Sequence, residues 1–319
     1  MTLTSEAEFT TKDGTKLYTK SWKPDSGNVS AILIFVHGFS DHINAYYDLF
    51  PTLSSAPFDV AVYGFDQRGW GRSVHKTSEN GLTGPTSLVL SDIHDFILHV
   101  SGLDETRQKP LFLMGHSMGG NELLTYMLST SSAYSNRPSI SGLLLEAPYI
   151  ELDPSEQPNA VTVFAGKMAA SLLPHLQLKQ PLDAAFMSRS TKVQRDWIDD
   201  PLCHDTGTLE GLKGLLQRAG DLSALSHGRK VAGLTTKMPC PVLISHGTAD
   251  KVISFPAAER LFSVLEAPGN DKVFQAYQGG YHKLHAEPDG DAERFAKDVG
   301  NWIIAHANRS SSGTQKPKL

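Results

Sequence analysis

The chain has 319 residues, 40% of them hydrophobic and 20% charged, with a formal net charge of −5 and two cysteines, Cys203 and Cys240. That length supports a large core carrying an insertion. The scattered Lys and Arg exclude an electrostatic footprint for nucleic acid, and two cysteines exclude a disulfide framework.

No apolar run approaches the roughly 20 residues of a membrane span, and the polar opening MTLTSEAEFTTKDG does not read as a signal peptide. A cytoplasmic protein with at most peripheral membrane contact is expected.

From the N-terminus, EAEFTTKDGTKLYTKSWKP places an Asp-Gly turn between two alternating segments and predicts a hairpin. SAILIFVHGF and FDVAVYGFD are apolar runs of buried-strand type, the second followed by the polar loop QRGWGRS. TSLVLSDIHDFILHV carries helical spacing at Leu88, Ile93, Phe96, Ile97 and Val100. PLFLMG, ISGLLLEAP, CPVLISHGTAD and DKVFQAYQGG continue the strand series, with a last helix near Asp291 to Ala307. Alternation of this kind predicts an α/β fold with a mainly parallel central sheet flanked by helices.

The rhythm breaks between about Tyr149 and Thr236. Residues 150–236 are therefore expected to form an inserted, mostly helical cap on a core of residues 1–149 and 237–308, and the polar residues 309–319 a disordered tail. Within the cap, NAVTVFAGKMAASLLPHL sets Val161, Phe164, Ala165, Met168 and Leu172 on one helical face, while Val163, Ala170 and Leu173 make the other side apolar. Two oily sides suit either a helix buried in its own subdomain or a lid between substrate and a lipid surface.

In LFLMGHSMGGNE, Ser117 stands between Gly115 and Gly119. A chain of this length shows the bare G-x-S-x-G pattern by chance roughly 0.1 times, so context must support it. The apolar run Leu111 to Met114 before it and a helical stretch from Asn121 to Leu128 after it supply the strand, turn and helix of a nucleophile elbow.

A serine hydroxyl needs a base and an anion to orient that base. In the α/β-hydrolase fold these follow in the order serine, acid, histidine. Asp250, at the end of PVLISHGTAD, and His282, first after the Gly279-Gly280 turn, fit that order. His285 competes with His282 but sits deeper in its loop, and Asp66 follows the strand before the nucleophile, which breaks the order.

Ester attack creates an oxyanion that needs preorganised N–H donors. Met118 N–H is one candidate, and Phe39 N–H, in VHGFSDH, is the other, with His37 holding the loop by hydrogen bonding. HKLH at 282–285 lacks the further ligands of a metal site, and RGWGRS lacks a full phosphate or dinucleotide pattern. No metal and no cofactor are expected.

HGFSDH, DQRGWGRS, GHSMGG, DPLC, SHGTADKV and YHKLHAEPD, in this order over about residues 15–305 and with a cap after the third block, resemble the monoacylglycerol lipases, particularly their fungal members. The resemblance implies cofactor-free hydrolysis of monoacylglycerol to glycerol and fatty acid, with loose association to membranes or lipid droplets. By motif it implies Ser117 as nucleophile, His282 as base and Asp250 as its orienter, with Phe39 and Met118 as oxyanion donors. It also implies glycerol contacts at His116, His285 and Asp41, although HGFSD here replaces the H-G-x-G-E common in that family. Leu172, Leu173 and Leu176 become candidates for acyl contact or membrane docking. The same triad would also serve a general carboxylesterase or lysophospholipase, and the fold could serve a non-catalytic lipid receptor.

Overall fold

The computed structural model describes residues 2–156, 166 and 168–312. Ten strands are present among these residues: β1 (Thr2–Thr10), β2 (Lys16–Pro24), β3 (Ala31–Val36), β4 (Val60–Phe65), β5 (Leu111–His116), β6 (Gly142–Glu146), β7 (Gln177–Lys179), β8 (Thr206–Thr208), β9 (Val242–Gly247) and β10 (Lys272–Tyr277). Eight form one sheet in the order β1-β2-β4-β3-β5-β6-β9-β10. The hairpin β1-β2 and its join to β4 are antiparallel, and every other neighbouring pair is parallel.

The apolar runs become strands because both faces are covered. Successive residues of a strand point to opposite sides, and here Ile32, Ile34 and Val36 enter one core while Leu33 and Phe35 enter the other. Leu111 and Leu113 likewise oppose Phe112 and Met114.

Helices α2 (Thr86–Gly102), α3 (Met118–Leu128), α5 (Leu209–Ser226) and α6 (Phe255–Val264) supply buried residues to the first core. α1 (Leu49–Leu53) and α7 (Asp291–Ser312) supply the second.

Short polar residues start the later helices as their chemistry predicts. Thr208 accepts from Gly211 N–H and Ser254 from Ala257 N–H. In the cap, Ser190 accepts from Val193 N–H at the start of α4 (Thr191–Asp199).

Two expectations need correction. The cap, expected to be mostly helical and showing no strand in its sequence, also contains an antiparallel ribbon, β7 with β8. Three residues are too few to show a period of two, so the sequence carries no signal for it. The last helix continues to Ser312, past the expected boundary at 308, because Arg309 reaches Asp271 at 2.8 Å and extends the anchoring of that end. Val161, Val163, Phe164 and Ala165 lie outside the described residues, as do 313–319.

Candidate active site

β5 ends at His116 and α3 begins at Met118, leaving Ser117 alone to make the turn at φ 53°, ψ −116°. A left-handed φ is strained for any residue with a Cβ and costs of the order of 1–3 kcal/mol. β6, the loop after it and α3 hold it: Ser117 N–H donates to Glu146 O at 2.9 Å, and Ser117 O accepts from Asn121 N–H and Tyr149 N–H at 3.1 and 3.0 Å.

The flanking glycines follow from space. A Cβ at Gly119 would stand 2.2 Å from Val36 O, and one at Gly115 would stand 2.6 Å from Gly119 O.

Asp250 and His282 lie on the loops after β9 and β10, and His282 Nδ1 donates to Asp250 Oδ2 at 2.8 Å. Asp250 Oδ1 accepts from Val252 and Ile253 N–H at 2.8 and 3.0 Å. Burial pushes this carboxyl up, but the positive charge and hydrogen bond of His282, with His246 and the Ile253 amide, more than reverse it and hold the acid below its ordinary range. The acid is therefore ionised, and because it accepts from Nδ1–H, the imidazole in its uncharged form carries no proton on Nε2. Among the described residues Nε2 of His282 and Oγ of Ser117 make no hydrogen bond.

The loop after β3 brings Phe39 beside the elbow, and Ser40 turns the chain away at φ 53°. The N–H groups of Phe39 and Met118 have no partner among the described residues. Phe39, Ser117 and Met118 together wall one part of a cavity of about 260 Å³, whose remaining wall includes Leu178, Leu212 and Val252. Ser117 is 8% exposed. Its hydroxyl is thus tied to an apolar hollow with two unengaged donors beside it.

His37 performs the holding role expected of it. Its Nε2 accepts from Gln67 N–H at 2.9 Å while Nδ1 contacts Gly38 O at 2.8 Å. Burial lowers its pKa, so the ring is neutral. Asp66, the rejected rival acid, is buried as a loop brace that accepts from Ile43 and Arg72 N–H.

The residues assigned to glycerol lie elsewhere than the cavity wall. Asp41, His116 and His285 are buried, and the His116 ring lies 4.8 Å from that of His282. His285 Nδ1 and N–H are both bonded to Glu146, at 2.8 and 3.1 Å. His116 contacts Tyr46 Oη through Nδ1 and His282 O through Nε2, each at 3.3 Å. Burial, then the neighbouring charges of His282, His285 and Lys283, push its pKa well below the ordinary histidine value. Asp41 pairs with Lys283 at 3.0 Å. Burial raises its carboxyl, yet Lys283, His42 and His37 outweigh burial and hold it ionised.

The three cap leucines also stand away from the cavity. Leu172, Leu173 and Leu176 are 82%, 56% and 48% exposed, beside Met168.

Sequence reasoning passed over Lys283, Tyr46 and Glu146. A lysine reads as exposed by default, and only the fold brings Asp41 to it.

Strand order and elbow together define the chain as an α/β-hydrolase with a serine at the nucleophile position. The family model described as "Serine aminopeptidase, S33" matches residues 27–289. A Schizosaccharomyces pombe protein that carries the name monoglyceride lipase as a provisional one is 32% identical over 297 residues, covering 93% of this chain and 73% of its own. The human monoglyceride lipase is 27% identical over 310 residues, covering 96% and 91%. A crystal structure of a soluble variant of the Saccharomyces cerevisiae monoglyceride lipase, with a substrate analog, superposes at a TM-score of 0.81 with 24% identity, over 95% of this chain and 94% of that one. The chain belongs to this hydrolase family and, within it, stands with the monoglyceride lipases.

Proposed function

We propose that the protein is a monoacylglycerol lipase working through an acyl-enzyme. Ser117 Oγ gives its proton to His282 Nε2 and attacks the ester carbonyl, and the oxyanion takes the free N–H groups of Phe39 and Met118. The glycerol oxygen leaves with the proton held by His282. Water then attacks the acyl group and gives its proton to the same nitrogen, which passes it to Ser117 Oγ as the acyl–oxygen bond breaks and the fatty acid is released. Asp250 keeps the imidazole oriented throughout and stabilises its charged form.

One observation carries this reading: a strained serine and two unengaged backbone donors meet at the wall of a mainly apolar cavity. Each acyl methylene moved from water into such a hollow contributes about 0.8 kcal/mol, which favours a long single chain. The names of the relatives support the substrate. The exposed leucines of the cap support contact with a lipid surface, where such a substrate resides.

Among the relatives, an Arabidopsis thaliana caffeoylshikimate esterase is also 27% identical, over 322 residues, and favours a broader carboxylesterase as the second reading. Rates of the purified protein on monoacyl, diacyl and triacyl glycerols, a lysophospholipid and an aryl ester separate the two. A lipase of this type prefers the monoacylglycerol. Equal or greater efficiency on the aryl ester overturns that preference. Ser117→Ala should lower turnover at least about 10⁴-fold.

A further inference from the structure

Removing an ammonium group from water is costly unless a partner compensates it, so a buried lysine requires a reason. Lys283 follows His282 directly, and its side chain is 3% exposed against 1% for Asp41. The ammonium lies 3.0 Å from Asp41 Oδ2 and 4.5 Å from the Trp197 ring centre on α4. Its backbone N–H donates to Met187 O at 2.7 Å. Asp41 stands two residues beyond Phe39.

The other contacts of Asp41 lead back to the same place. Oδ1 accepts from His42 N–H at 2.9 Å, and Oδ2 accepts from Tyr46 Oη at 3.1 Å. The Tyr46 oxygen accepts from Gly38 N–H at 3.2 Å and lies 3.3 Å from His116 Nδ1. His116 Nε2 reaches the carbonyl of His282 at 3.3 Å. A closed circuit therefore runs from residues 282 and 283 through 41 and 46 to 38 and 116, and back to 282.

The geometry points to Lys283 and Asp41 as a positioning pair that fixes the loop of the base His282 against the loop of the oxyanion donor Phe39. This role rests on the proposed triad and gives Asp41 a task other than holding glycerol. The two loops leave β10 and β3, which are not neighbours in the sheet, so no strand ladder sets their spacing. A misplacement of about 1 Å between catalytic groups costs about 10²-fold in rate. Neither member of the pair touches the cavity at Ser117.

Lys283→Met and Asp41→Asn should be assayed on a long-chain monoacylglycerol and on the p-nitrophenyl ester of the same acid, with active sites counted by titration with a fluorophosphonate. Both variants should lose about 10- to 100-fold in kcat on both substrates, with KM changed less than about threefold. The double variant should be no slower than the worse single one, because each single change strands a buried charge that the double change removes. Tyr46→Phe, which deletes one oxygen from the circuit, should show the same pattern and decides the matter where a charge-removing variant does not fold.

Loss confined to the monoacylglycerol, or a raised KM with kcat intact, overturns the pair as a positioning device and returns Asp41 to glycerol binding. Unchanged kcat on both esters overturns it as well. Wild-type turnover by Ser117→Ala would instead overturn the proposed function, so the two failures are distinct.

Discussion

At Ser117 the backbone itself shapes the proposed nucleophile. The positive φ lifts the side chain clear of β5, and the bonds to Glu146 and Tyr149 hold the strain in place. Gly119 makes this possible, since a methyl group there would meet the carbonyls of Val36 and His37. Gly119→Ala is expected to destabilise by about 1–3 kcal/mol through overpacking, read as a lower urea midpoint, and to reduce kcat by displacing the elbow.

Asp250→Asn tests the orienter separately. The amide can neither accept as well from Nδ1–H nor stabilise a charged imidazole, so kcat should fall roughly 10⁴-fold while the melting temperature moves little. A loss under tenfold would contradict Asp250 as the group that orients His282.

At the level of elements, the cap divides into a part that faces inward and a part that faces out. Helix α5 is tied to α3 by Arg218, which donates to Asn121 at 2.9 Å and pairs with Glu122 at 3.0 Å. The helical segment 168–172, by contrast, leaves Met168 and Leu172 exposed, as is Leu173 just after it, with Leu176 close behind. Apolar side chains of this size seldom cluster in water without a surface to meet. Replacing Leu172, Leu173 and Leu176 together by Ser should weaken binding to phosphatidylcholine vesicles by at least about tenfold. Turnover of a short, water-soluble ester should stay within about twofold, because none of the three lines the cavity. Equal binding by variant and wild type would remove the cap leucines as a docking surface.

For the molecule as a whole, buried carboxyls pull stability in opposite directions with pH. Asp41 is held below its ordinary value, so the unfolded chain binds more protons at acid pH and stability rises as pH climbs through that range. Glu122 is the reverse. Burial pushes it up to about 7 against the pull of Arg218, so its contribution is fullest below its ordinary value of 4.5 and is lost as pH rises to about 7. The stability difference between wild type and Asp41→Asn should therefore grow in favour of wild type as pH rises through the range just below 4. The difference from Glu122→Gln should shrink between pH 4.5 and 7. Urea midpoints across pH 3 to 8 read both slopes, and parallel curves would contradict the assignment.

Much of this arrangement was written locally. The apolar runs around Leu33, Phe112 and Ile244 demanded a sheet covered on both sides, and the spacing of Gly115, Ser117 and Gly119 demanded an elbow, because each depends on neighbours within a few residues. The order Ser117, Asp250, His282 followed from the chain rule of the fold, and the structure joins the last two by a hydrogen bond. The ribbon β7 with β8 and the helical turns beyond Ala307 were not legible, since one is too short for a period and the other depends on an anchor at Asp271. Folding alone decided that Asp41 meets Lys283 rather than the cavity, and that the cap leucines face outward. Charge pairing and exposure depend on which distant segments share a space, and a linear pattern of residue types carries no term for that distance.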